Sequence, residues 1–158
     1  MRRTFARILI QQMTERPEMH ALVSDVGYGM FDAIAHRYPE RFWNVGAAEQ
    51  AMVGMGVGLA LAGKLPICYT ITPFLLLRPF ELIRNYLNND KVPVVLVGSG
   101  RDKDYNHDGP THWCEEDRAL LALLPNIHAW WPANAHELQE CLPVVLEDRN
   151  PLYINLKR

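Results

Sequence analysis

The sequence has few of the features that mark secreted, membrane-spanning or nucleic-acid-binding proteins. Its 158 residues include only three cysteines, which are scattered and form no C-x-x-C pair. This argues against a disulfide framework and for the reduced thiols of a cytoplasmic protein. A formal net charge of −2 gives no basic surface for nucleic acid. No apolar run is long enough to cross a membrane, and Arg2 and Arg3 are not followed by the apolar stretch of a signal peptide. We therefore expect a cytoplasmic protein with neither nucleic acid nor a membrane as partner.

The composition that is present is that of one globular domain, residues 1–158. Apolar residues make up 49% and charged residues 22% of the chain, a balance typical of soluble domains of this length. Predicted helices and strands alternate along the whole chain, which indicates a parallel sheet with helices on both faces. The expected fold is therefore an α/β three-layer sandwich. The predicted strands are 21–24, 41–45, 65–71, 92–97, 127–131 and 152–156, and the predicted helices are 4–15, 30–38, about four turns from Glu49, 74–88, 115–124 and 135–147.

Five polar or aromatic segments follow the carboxyl ends of the predicted strands. In parallel α/β sheets the ligand site lies beyond those ends. The periodicity alone therefore predicts a common site for these segments. They are Asp25, the turn 46–49, residues 70–74, the loop 98–112 and Trp131.

The stretch 41–64 contains the most unusual predicted helix of the chain. From Glu49 onward it is apolar on every face, and Glu49 is its only charge. Such a helix is expected to be buried on all sides. Gly54, Gly56 and Gly58 would destabilise it unless another backbone approaches closely. Glu49 itself has two interpretations: a carboxylate that favours the positive end of the helix dipole, or a buried acid with a chemical role.

The segment VGAAEQAMVGMGVGLALAGKLP closely resembles the pyrimidine-binding domain of transketolases and 1-deoxyxylulose-5-phosphate synthases. The resemblance implies that Glu49 is the glutamate that activates thiamine diphosphate by a hydrogen bond to the aminopyrimidine ring. TITPFLLLRPFELIRN is similar to a family segment whose phenylalanine stacks on that ring, which corresponds to Phe74. Val26 matches a residue that props the cofactor in its bent form, and Tyr69 and Thr70 join this cofactor site. Core packing is the alternative for Phe74 and Val26.

A second motif, Asp108-Gly109-Pro110-Thr111-His112, resembles the transketolase segment DGPTH. It implies that Asp108 and His112 bind substrate hydroxyls, with His112 also catalytic. Asp25, Arg101 and Trp131 complete the predicted substrate site. His107, Asp108 and His112 could instead suggest a metal, but three such residues in a loop are weak evidence, and we expect no metal held by this chain.

The end of the substrate away from the reacting carbon is expected to differ from that of simple sugar phosphates. Transketolases of sugar-phosphate metabolism have Arg, His and Ser at positions that correspond here to Trp131, Gly100 and Gly29. An indole offers an apolar face, and phosphate requires cationic or amide donors. Simple sugar phosphates are therefore predicted to be poor acceptors, unless Arg101 and Lys103 compensate.

The resemblance implies a split enzyme. No GDG…N segment for diphosphate and magnesium is present, and no third domain follows. We therefore expect a transketolase-like subunit that transfers a two-carbon ketol unit between sugars. A diphosphate-binding partner subunit would hold Mg²⁺, in an α2β2 heterotetramer. One alternative is a thiamine-dependent 2-oxo acid decarboxylase or carboligase subunit. The other is a non-catalytic partner, against which Glu49, Asp108 and His112 argue.

Overall fold

A computed structural model describes residues 1–158 and contains a six-stranded sheet that is parallel throughout. The strand order is β2-β1-β3-β4-β6-β5, and every pair of neighbouring strands runs in parallel. This confirms the predicted parallel α/β fold. The strands are β1 Met19–Val23, β2 Phe42–Asn44, β3 Leu65–Ile71, β4 Val95–Ser99, β5 His128–Trp130 and β6 Leu152–Leu156.

Helices cover both faces of the sheet, so the three-layer sandwich is also confirmed. The helices are α1 Arg2–Glu15, α2 Asp32–Arg37, α3 Glu49–Leu61, α4 Thr72–Leu77, α5 Phe80–Leu82 continued by a π-helix Ile83–Asn89, α6 Asp117–Ala122 and α7 Ala135–Val145, with 3-10 helices at Pro39–Arg41, Asn106–Asp108 and Pro110–His112. One hydrophobic core joins α1, α2 and α7 to the sheet through residues such as Leu9, Ile34 and Leu142. The other core joins α3, α4, α6 and the helix after α5 to the opposite face, with Met52 and Leu121 among its members.

Two prolines account for differences from the predicted elements. The helix expected over 74–88 begins earlier, with Pro73 in its first turn, and is interrupted before Pro79. Proline has no N–H and clashes with the carbonyl four residues earlier, so the chain ends α4 and restarts. The restarted helix becomes π-helical, which periodicity does not reveal. The strand expected from Val92 begins at Val95, after Pro93, which cannot donate a ladder hydrogen bond.

Within this chain α3 is buried on one face only, so burial on all sides would require a second subunit. Its inner face packs on β3: a Cβ on Gly56 would lie 2.9 Å from Cys68 Sγ, so glycine permits this close approach. Its outer face is open to solvent. Met55 is 40% and Leu61 70% exposed, and nothing lies near a Cβ built on Gly58. The helix is apolar on every face, but this chain covers only half of it. Separately, none of the helices combines the length and apolar character needed to cross a membrane.

Candidate active site

The turns at the carboxyl ends of β1 and β2 are tied together by hydrogen bonds. Ser24 Oγ donates to the Gly46 carbonyl at 2.7 Å. Asn44 Oδ1 accepts from the backbone N–H of Asp25 at 3.1 Å and of Gly46 at 3.0 Å. Gly46 has a φ of +71°, a conformation that favours glycine. These contacts fix the short turn that delivers the chain to the first residue of α3.

Glu49 is that first residue, and its carboxylate is buried. Its side chain is only 3% exposed, and its Oε2 accepts a hydrogen bond from Arg78 Nη1 at 2.7 Å. A cavity of about 520 Å³ adjoins the pair and is lined by residues 47–51 and Arg78. The helix-dipole interpretation describes an exposed acid in the first turn of a helix. Glu49 is buried beside a cavity, which favours the interpretation as an acid with a chemical role.

Phe74 lies next to this pair. The guanidinium carbon of Arg78 is 3.8 Å from the centre of the Phe74 ring. The His112 imidazole meets Phe74 edge-on, with ring centres 5.0 Å apart. The structure thus brings together three predicted residues from separate segments, Glu49, Phe74 and His112. Arg78 was missed by the sequence analysis, although its position four residues after Phe74 on a helix could have indicated the contact.

Asp108 lies on the loop that carries His112, is exposed and pairs with His107. Its Oδ2 lies 3.1 Å from His107 Nε2, and Arg158 Nη1 lies 3.3 Å from the His107 ring nitrogens. His112 Nδ1 lies 2.9 Å from Thr111 Oγ1. His107 is therefore paired with Asp108, and its side chain is 57% exposed. The described residues include no group of three His, Cys, Asp or Glu side chains that could hold a metal ion.

Arg101 lies in a buried network and not in an open substrate site. It is 6% exposed. Its Nε donates to Asn155 Oδ1 at 2.9 Å, and its Nη2 donates to the carbonyls of Asn155 at 2.5 Å and Pro132 at 3.0 Å. Burial lowers the pKa of the Arg101 guanidinium. The side chain anchors the start of the loop, so its placement gives no support to the predicted substrate contact.

Trp131 belongs to the same network. Its Nε1 donates to Asp117 Oδ2 at 2.7 Å, and its ring packs edge-on against Tyr153. Asp117 Oδ2 also accepts from Tyr153 OH at 2.9 Å and Asn155 Nδ2 at 3.0 Å. Trp131 is therefore partly buried and packs against the second core. Asn155, which links Arg101 to Asp117, was not identified from the sequence.

The remaining predicted cofactor residues lie at or below the edge of the sheet. Tyr69 is buried between Phe5 and Phe31, where burial raises its pKa to about 12, so its position corresponds to packing and not to ligand contact. Thr70 is fully buried, and its hydroxyl points to the Ser24 carbonyl at 3.5 Å. Val26 is partly buried against the first core.

Asp25 is exposed and accepts a hydrogen bond from Tyr28 OH. It therefore remains available to a substrate at the carboxyl end of β1.

A basic cleft beside this edge was also missed. It has a volume of about 750 Å³ and is lined by Arg2, Arg3 and Arg7 on α1 and by the turn 27–30. Gly29 leaves open space there, whereas a Cβ on Gly100 would meet the Tyr105 ring at 2.3 Å. A side chain at position 100 would therefore require the Tyr105 ring to move in this chain. Arg3 and Arg7 are four residues apart and could have been recognised as part of one face of a helix.

The arrangement fits an aminopyrimidine ring, because the buried Glu49 carboxylate and the Phe74 ring both contact the same guanidinium, that of Arg78. The fold defines a pyrimidine-binding domain. Residues 1–158 match the family described as transketolase, pyrimidine binding domain, and the chain belongs to that family.

The relatives that the chain matches are longer proteins. It is 30% identical over its whole length to a putative transketolase C-terminal section from Methanocaldococcus jannaschii, of which it covers 50%. It is 32% identical over 98% of its length to 1-deoxy-D-xylulose-5-phosphate synthase from Carboxydothermus hydrogenoformans, of which it covers 25%. A structure described as a split gene transketolase, inactive beta4 tetramer, is 32% identical, with a TM-score of 0.87 over 99% of this chain and 50% of that one. The chain thus spans half or less of these proteins.

Proposed function

We propose that this chain is the pyrimidine-binding subunit of a split, transketolase-like transferase that moves a two-carbon ketol unit between sugars or sugar derivatives. The observation that carries the proposal is the buried Glu49 carboxylate beside Phe74 and His112. The similarity to a split gene transketolase supports the division into subunits. We place the enzyme in the cytoplasm.

Thiamine diphosphate, when bound, supplies the electron sink for breaking and forming the carbon–carbon bond. Glu49 would hold a proton at the pyrimidine ring nitrogen, at a position that is 3% exposed to solvent. Phe74 would provide a flat face for the ring, and Val26 would support the bent cofactor from the end of β1. The carboxylate belongs to the first turn of a packed helix, so its position is fixed before any ligand arrives.

His112 and Asp108 would act on the substrate. His112 adjoins Phe74 and would bind and exchange protons with substrate hydroxyls near the reacting carbon. Asp108, on the exposed side of the same loop, would accept hydrogen bonds from hydroxyls further along the sugar, and Asp25 could do so from the neighbouring turn. Trp131 and Arg101 act indirectly in this scheme, because they fix the ends of the loop that carries both residues.

The basic cleft favours an anionic group on the substrate. Three arginines around a cavity of about 750 Å³ are suited to a phosphate, sulfonate or carboxylate. This observation opposes the expectation from Trp131, which assumed an indole free to face the substrate. We therefore propose a substrate with an anionic end, held by Arg3 and its neighbours on α1.

A diphosphate-binding partner subunit completes the site in this proposal. It would hold the diphosphate and Mg²⁺, with α2β2 as the expected assembly. The outer face of α3, the end of α4 and the helix after α5 expose Met55, Leu61, Leu77 and Tyr86, which is apolar surface of the kind that subunit contacts bury. A 2-oxo acid decarboxylase or carboligase subunit is the alternative reaction with the same cofactor chemistry, and assays with ketoses against 2-oxo acids would separate the two.

The test is the Glu49→Gln variant in the complex with the partner. Glutamine keeps the size of the side chain but loses the exchangeable proton. We expect turnover to fall by at least about 100-fold, the lower range for a lost proton-transfer group, with an unchanged circular dichroism spectrum. Glu81→Gln, an exposed glutamate on α5, is the matched control and should keep full activity. Turnover of Glu49→Gln within a few-fold of wild type would refute the assignment.

A further inference from the structure

Arg78 makes, in one side chain, the two contacts that this chain would offer to the cofactor ring. Its Nη1 donates to Glu49 Oε2 at 2.7 Å, and its guanidinium carbon lies 3.8 Å from the centre of the Phe74 ring. A guanidinium is a flat group with N–H donors in its plane, and it stacks on aromatic rings. An aminopyrimidine has the same combination of a flat face and in-plane N–H donors. The two groups therefore compete for the same carboxylate and the same aromatic face.

We propose that Arg78 stands in for the pyrimidine ring when the cofactor is absent and moves aside when it binds. The proposal rests on the proposed function. In the unloaded chain Arg78 covers Phe74 and neutralises Glu49. Cofactor binding then replaces the charged guanidinium partner of Glu49 by the pyrimidine ring nitrogen, which shares a proton with the carboxyl group. Displacing Arg78 from Glu49 and Phe74 costs free energy, and the contacts of the complete, two-subunit site must exceed this cost for the cofactor to bind.

The burial of the two partners explains why this arrangement is stable and yet reversible. Glu49 is 3% exposed, and an unpaired carboxylate at such a position would be strongly unfavourable. Arg78 is 46% exposed, and its guanidinium makes no other hydrogen bond or ion pair. It can therefore turn into solvent and regain hydration, whereas Glu49 cannot. The mobile partner of the pair is the arginine.

The adjoining cavity gives the displaced groups room. It measures about 520 Å³ and has Arg78 as its only basic wall, with residues 47–51 forming the rest. Those residues belong to the turn before α3 and its first turn, so their backbone is held by the packed helix. Movement of Arg78 alone opens the approach to the carboxylate, with no rearrangement of the backbone.

The first test measures the affinity of thiamine diphosphate with Mg²⁺ for the two-subunit complex by isothermal titration calorimetry. In Arg78→Met, which keeps the apolar stem and loses the charge, we expect the Kd to fall about tenfold, the combined effect of a partly exposed ion pair and a cation–π contact. Arg84→Met is the control: Arg84 lies on the helix after α5, and its Nη1 donates to Asn85 Oδ1 at 2.9 Å. Its Kd should equal that of wild type. An unchanged or higher Kd for Arg78→Met would overturn the proposal.

The second test uses thermal unfolding of this chain without cofactor. Arg78→Met should have a lower Tm than wild type, because it leaves Glu49 buried without a partner, and Arg84→Met should not. An Arg78→Met chain as stable as wild type would contradict the pairing role. Failure of the proposed function looks different: a wild-type complex that binds no thiamine diphosphate would refute the function, whereas wild-type binding with no gain in Arg78→Met refutes only the role of Arg78.

Discussion

At the scale of single residues, His20 is the clearest case of a polar group held in an apolar setting. Its imidazole is 8% exposed, neither ring nitrogen has a hydrogen-bond partner, and it stacks on Trp43 with ring centres 5.2 Å apart. Burial, followed by the charges of Lys64 and Arg41, lowers its pKa below the ordinary value of 6.5. The folded protein therefore favours neutral His20.

This shift predicts a pH dependence of stability. Because the pKa is lower in the folded state, the unfolded chain takes up the proton first as the pH falls below 6.5. The free energy of unfolding should then decrease until the pH passes the folded pKa. His20→Phe should show a smaller loss between about pH 7.5 and about pH 5 in urea titrations. The exposed variant His36→Gln is the control, and an identical loss in wild type and His20→Phe would contradict the account.

Single residues also show how far the sequence could predict the site. Glu49, Phe74 and His112 could be identified because each belongs to a short motif, and the structure brings the three together. Arg101 and Trp131 could not be assigned correctly. Their environment depends on Asn155 and Asp117, which are distant in sequence and carry no motif.

At the scale of elements, the loop after β4 is held by a side chain of the last strand. Asn155 on β6 accepts from Arg101 at the start of the loop and donates to Asp117 at its end, at 2.9 and 3.0 Å. Its Nδ2 also approaches Thr72 Oγ1, in the first turn of α4, at 3.3 Å. One amide thereby links the segment that carries His112 to the helix that carries Phe74.

Asn155→Leu should therefore destabilise the fold considerably. It would leave the buried guanidinium of Arg101 and the carboxylate of Asp117 without these bonds, which costs about 3 kcal/mol in the free energy of unfolding. Urea denaturation measures the loss. Asn150→Leu, at an exposed position before β6, should change stability by less than about 0.5 kcal/mol. Equal stability of the two variants would show that the network does not hold the loop.

Some elements could be predicted from the periodicity of the sequence, and others could not. The alternation of strands and helices gave the parallel three-layer architecture, because burial on both faces of a sheet leaves a strong apolar pattern. The break before Pro79, the π-helix after Leu82 and the half-covered α3 leave no such pattern. They depend on hydrogen-bond geometry and on surfaces that a single chain does not cover.

At the scale of the whole molecule, the proposed function makes this chain one half of a cofactor site, next to uncovered apolar surface. Glu49 and Arg78 line a cavity at the start of α3, and Phe74 packs against Arg78. The exposed side chains of α3 and the helix after α5 lie on the same layer of the sandwich. A partner that covers this surface would approach the cavity from outside. Completion of the site and burial of the apolar surface would then occur in one association step.

The most direct test of this account is calorimetric titration of thiamine diphosphate with Mg²⁺ into the chain alone, the diphosphate-binding partner alone and an equimolar mixture. The account predicts weak binding to each subunit and tight binding to the mixture, because neither half of the site holds both ends of the cofactor. Glu49→Gln in the mixture provides a control in which the complex is intact but the proton relay is lost. Tight binding to this chain alone, or none to the mixture, would contradict the central claim that it is the pyrimidine-binding half of a split thiamine enzyme.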